Sequence, residues 1–128
     1  MFFPKSIIHL IVFLFIISGS LSLAEDYSDS DITKVVMLGS GNPFPDPERS
    51  GPSVAIIVND VPYLFDAGAG VWQATGAATP KYGGTVKALE SGNISKVFIT
   101  HLHSDHVVGL PSLILLPWAL GREAPLEV

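Results

Sequence analysis

Cysteine is absent from the 128 residues. That excludes disulfides, cysteine ligands to zinc and a lipid-modified N-terminal cysteine, and it leaves any bound metal to nitrogen and oxygen donors. Basic charge is scarce: seven Lys and Arg stand against twelve Asp and Glu, for a net charge of −5. With no basic stripe to neutralise a phosphate backbone, long nucleic acids are not favoured partners, whereas a small ester substrate is compatible. A long apolar run is also lacking. Ile7–Ile17 covers 11 residues with His9 inside it, short of the roughly 20 that a spanning helix needs, so no stable membrane insertion is expected. That run follows a weakly basic start, Phe2-Phe3-Pro4-Lys5, and precedes the small-residue site Ser22-Leu23-Ala24. The pattern predicts a signal peptide over residues 1–24, cleaved after Ala24, and hence an exported protein, periplasmic or secreted. Of the 128 residues 104 would remain, with six Lys and Arg against twelve Asp and Glu, net −6.

What is present reads as one small domain. Glu25 to Asp31 is an acidic, serine-rich lead-in. Ile32 to Leu38, rich in β-branched residues and bounded by Gly39, is the first expected strand. Gly39-Ser40-Gly41 after a strand invites a dinucleotide-binding reading. That reading fails, because Phe44 stands where the third glycine belongs and Pro43, Pro45 and Pro47 prevent a helix from opening. The segment is expected as a rigid extended loop. Val54–Val58 and Tyr63–Phe65 are expected as antiparallel strands joined across Asn59-Asp60. Val71–Ala78 is expected as a short helix stopped by Pro80, and Thr85–Glu90 as another ended by Gly92. Lys96–Thr100 is expected as a strand. Val107–Leu120 is apolar but broken by Gly109, Pro111 and Pro117, and is expected to pack as a helical segment with Trp118 in the core. Pro125–Val128 resembles the start of a further strand.

The chemistry sits in Thr100-His101-Leu102-His103-Ser104-Asp105-His106. Three imidazoles and a carboxylate fall within six residues, and the whole chain has four histidines, so chance clustering is a poor account. Neutral imidazole nitrogen and carboxylate oxygen are standard ligands for zinc and similar ions. If the strand runs on through His101 and His103, alternation places both rings on one face, able to share one ion. Asp105 and His106 follow a turn and can serve a second ion. Asp66, at the end of the third strand with Gly68 and Gly70 behind it, is either a helix cap or a support for this loop.

His101-x-His103-x-Asp105-His106 at a strand end resembles the signature of the metallo-β-lactamase superfamily. The resemblance implies an α/β (α+β) fold: the N-terminal half of a four-layer αβ/βα sandwich with a mixed sheet. It implies that His101 and His103 bind one metal while Asp105 and His106 bind a second. Zinc is the expected ion at both, with Mn or Fe as alternatives, and the nucleophile is a bridging hydroxide. Asp105 would also orient that nucleophile or move its proton, and Asp66 in Leu64-Phe65-Asp66-Ala67-Gly68 would brace the metal loop. The family draws a further histidine, aspartate and histidine from downstream. No histidine follows His106, so residues 25–128 are expected to be a truncated domain with an uncovered sheet face, inactive alone. Leu38 to Pro43, Arg49 to Ser53 and Pro125 to Val128 are similar to the ribonuclease Z branch, which includes tRNA 3′-processing endonucleases and exported arylsulfatase-like hydrolases. The leader and the acidic balance favour the latter: a metal-dependent hydrolase of sulfate or phosphate esters. The alternatives are a ribonuclease Z-like endonuclease and a non-catalytic metal-binding fragment. Association into a homodimer is left open.

Overall fold

The computed structural model describes residues 32–128; the predicted leader at residues 1–24 lies outside them. Four strands form one mixed sheet, β1 (Lys34–Gly39), β2 (Ser53–Val58), β3 (Val61–Phe65) and β4 (Val97–Phe98), ordered as in the chain. The first two pairings are antiparallel and β3–β4 is parallel. Alternation sorts the faces: Ser53, Ala55 and Ile57 of β2 and Leu64 of β3 point inward and are buried. Val35 and Met37 of β1 and Phe98 of β4 are exposed, while the Phe65 and Phe98 rings stack 5.1 Å apart. Asn59 and Asp60 both take positive φ, 50° and 60°, and make the two-residue turn of the β2–β3 hairpin.

α1 (Val71–Ala78) packs against β1, and it is followed in the chain by the short α2 (Ser104–Val107) and by α3 (Leu110–Ala119), which meets α1. Leu38, Ile57, Leu64, Val71, Leu89, Ile94, Val97 and Leu113 form the core. Thr79 before Pro80 is extended, φ −84° and ψ 157°, so α1 ends where the proline demands. The expected helix at 85–90 is only a 3₁₀ turn over Lys87–Leu89. Gly84 and Val86 donate their amides to Thr79 and Ala78 instead of to a helix of their own, and one remaining turn is too short to propagate.

Two further expectations are corrected. Trp118 is 69% exposed, on the outer side of α3, and is not in the core. Pro117 does not break α3 but sits inside it. A proline has no amide hydrogen to give to the carbonyl four residues back. Here that carbonyl, on Leu113, accepts instead from Arg122 Nη1 at 2.8 Å, while Nη2 donates to Ile114 at 3.0 Å and Nη1 also reaches Ile94. Arg122 is 5% exposed and serves as the helix's substitute donor. Replacing Arg122 with Met keeps the apolar stem and orphans the Leu113 carbonyl, at a cost of about 2–3 kcal/mol. Urea unfolding checks it, and adding Pro117→Ala should recover part of the loss by restoring an amide donor. A loss below about 0.5 kcal/mol, the range of neutral surface changes, would contradict this role.

Candidate metal centre

β4 is shorter than expected, and the reason lies across the sheet. Asp66 directly after β3 has φ 63°. Its amide donates to Phe98 at 2.7 Å, the last bond of the β3–β4 ladder, and the chain then turns away. With no neighbour strand beyond this point, Ile99 to His103 leave the sheet. His101 and His103 therefore lie on a loop, not on a continued strand, and strand alternation is not what brings them together. They are nonetheless adjacent: their ring centroids are 4.5 Å apart, edge to face. His106 packs on the other side of His101 with centroids 4.0 Å apart.

Residues 66–68 clamp the loop from beneath. Ala67 donates its amide to His106 O at 2.7 Å and accepts from Gly109 N at 2.8 Å. The approach is close enough that a Cβ on Gly109 would collide with the Gly68 carbonyl oxygen. The Asp66 carboxylate, 7% exposed, does the finer positioning. Oδ1 accepts from the Thr100 amide at 2.8 Å, and Oδ2 lies 2.8 Å from His106 Nδ1. The Thr100 hydroxyl is 2.9 Å from both carboxylate oxygens. Asp66 is thus the support of the loop and caps no helix: α1 begins after Gly70, φ 81°, with no side-chain cap.

Burial pushes the Asp66 carboxyl up, but the Thr100 amide, the His106 and Thr100 side-chain hydrogen bonds and the His106 charge outweigh it and hold it below 3.8. A depressed folded value means stability that is present above the ordinary value and lost as pH falls through the lowered one. In metal-free protein, the stability gap between wild type and Asp66→Asn should therefore stay constant above about pH 5 and close as pH drops below 3.8. Thermal melts across that range check it. A gap that does not narrow in acid would contradict the ionised assignment.

The same bond decides a tautomer. A carboxylate only accepts, so His106 carries a hydrogen at Nδ1, and in the neutral ring its Nε2 carries the lone pair. That nitrogen lies 3.7 Å from Asp105 Oδ2. The three rings thus gather about His101, with the Asp105 carboxylate beside His106. Among the described residues, no three His, Asp or Glu side chains surround a single metal position. The donor set, neutral imidazoles and a carboxylate with no thiolate, fits divalent ions of the zinc type.

A cavity of about 580 Å³ opens beside the loop and is lined by Ser104 and Asp105 together with residues 42–51 of the β1–β2 connection and Gln73. The connection is fastened at both ends, by Gly41 N to Ser50 O and Gly51 N to Ala69 O, each 2.8 Å. It carries the exposed Arg49, which holds Asp46 only at 3.9 Å. Sequence reasoning missed one contributor, the Thr100 hydroxyl, whose only signal was its place beside the first histidine.

Residues 33–119 match the family described as "Anti-Pycsar protein Apyc1". The chain belongs to that family. Its relatives include the ribonuclease Z of Mycobacterium marinum, 34% identical over 98 residues, covering 74% of this chain and 32% of the relative. The ribonuclease Z of Pyrococcus abyssi is 38% identical over 95 residues, covering 74% and 28%. Among solved structures, human tRNase Z, short form, superimposes with a TM-score of 0.60 at 33% identity, over 73% of this chain and 33% of that one. The metallo-β-lactamase fold protein YhfI of Bacillus subtilis matches with a TM-score of 0.55 at 20% identity, over 70% and 34%, which bears on the fold alone. This Apyc1-family chain is thus a metallo-β-lactamase superfamily member, and its mixed sheet with flanking helices is that fold's. It spans about a third of the length of these relatives.

Proposed function

We propose that the protein is a ribonuclease Z-like hydrolase of phosphodiester bonds, dependent on divalent ions held in part by His101, His103, Asp105 and His106. The observation that carries this reading is the imidazole cluster, braced by Asp66, in a loop whose Ser104 and Asp105 line a cavity together with Arg49. The ions, when bound, supply Lewis acidity to the ester and to the attacking water. The chain's own residues do the rest. Asp105 faces the cavity and orients water or takes its proton. Arg49 supplies a cation for the phosphate oxygens. Ribonuclease Z relatives at 34% and 38% identity support RNA as the substrate class.

The acidic balance of the sequence argued against nucleic acid, yet four of the twelve acidic residues lie in the segment 25–31, remote in sequence from the loop. The second reading, an exported arylsulfatase-like hydrolase, rests on residues 1–24. Assays of the full-length protein with precursor tRNA, an aryl phosphodiester and an aryl sulfate separate the two. Chelator-sensitive cleavage of either phosphodiester, restored by zinc or manganese, is the expected result. Cleavage of the aryl sulfate alone would overturn it in favour of the second reading.

A further inference from the structure

Thr100 touches both halves of the site, and its hydroxyl has a single proton. Oγ1 lies 2.9 Å from Asp66 Oδ1, 2.9 Å from Oδ2 and 3.0 Å from His101 Nδ1. Two arrangements are available. If the proton points to His101, the hydroxyl lone pairs face a buried carboxylate at hydrogen-bond distance, which is repulsive. If it points to Asp66, the bond is charge-assisted, about twice as strong as a neutral one. The second arrangement wins. The face turned to His101 is then a lone pair, and His101 Nδ1 must carry the hydrogen.

We infer that Thr100 is a positioning residue that relays the Asp66 carboxylate to His101, fixing that imidazole as the Nδ1–H tautomer with Nε2 free to ligate a divalent cation. Asp66 holds His106 in the same form directly, through the 2.8 Å bond to its Nδ1. One carboxylate therefore sets two rings that serve different ligand pairs, one by contact and one through a hydroxyl. An imidazole released from such a contact drifts towards the Nε2–H form, which cannot ligate through that nitrogen. The ligand role rests on the metal-loop reading above; the tautomer does not.

The experiment is nitrogen-15 histidine NMR of the metal-free full-length protein, at a pH where the rings are neutral, followed by titration with zinc alone. Wild type and Thr100→Ser should show His101 protonated at Nδ1, and Thr100→Val should show it mainly at Nε2. His106 should stay protonated at Nδ1 in all three, which also reports that the loop is intact. Zinc affinity should fall roughly 10-fold in Thr100→Val and recover in Thr100→Ser, the lower end of the range for lost outer partners. His101 protonated at Nε2 in wild type, or unchanged in Thr100→Val, overturns the relay. A tautomer change at both histidines overturns it as well, because Thr100 would then act on the loop as a whole. Failure of wild type to bind zinc removes the ligand role along with the metal reading, while the tautomers still decide whether Thr100 holds His101.

Discussion

His101→Ala should leave a folded protein with less than its normal metal content and activity reduced by about 10²-fold or more, the scale of a metal's contribution to activating water. The ring is exposed on the loop after β4 and contributes nothing to the core formed around Leu64, Val97 and Leu113. Its neighbours are the two other imidazoles, 4.5 and 4.0 Å away between centroids. Its removal therefore subtracts a proposed ligand without opening a cavity. Asp105→Ala should act differently, weakening the second ion and the orientation of water while leaving the His101–His103 pair in place. Metal analysis with melting curves for each variant checks both. Normal metal and turnover in His101→Ala would sink the assignment.

Asp66→Ala should produce the next largest effect, and by a different route. The side chain never faces the cavity, but three donors depend on it: the Thr100 amide, the Thr100 hydroxyl and His106 Nδ1. Removing it orphans these groups, frees the tautomers of two rings and loosens the loop that carries all four proposed ligands. Metal affinity should fall about 10–100-fold, as when a ligand's outer hydrogen-bond partner is lost. Stability should fall too, by about 1–3 kcal/mol, chiefly from the part-buried His106 Nδ1–H, since Thr100 is exposed and water can take up its donors. Zinc competition assays and urea unfolding measure the two parts separately. Affinity within about twofold of wild type would remove Asp66 from the account, well outside the range expected for such a partner.

Much of this was legible from local pattern. The apolar runs on either side of the Asn59-Asp60 turn mark the hairpin, Pro80 marks the end of α1, and the spacing His101-x-His103-x-Asp105-His106 picks out the loop. What escaped depended on partners distant in sequence. β4 stops at Phe98 because Asp66, 32 positions earlier in the numbering, turns its own strand out of the ladder at φ 63°. Pro117 survives inside α3 because Arg122 gives Leu113 the hydrogen bond that a proline cannot. A breaker residue read alone predicts a break; the compensation is visible only once the helix is folded back on its own end. Trp118 reads as a core residue from the sequence, but the buried positions of α3 are Leu113 and Pro117.

The measurement that bears most directly on the metal centre is the zinc content of the full-length protein after dialysis, compared with His103→Ala and His106→Ala prepared identically. Each variant removes one member of a different proposed ligand pair. Bound zinc in wild type, stripped by chelator and reduced in both variants, is the predicted result. Wild type that takes up no zinc, manganese or iron, or variants that hold as much as wild type, would contradict it.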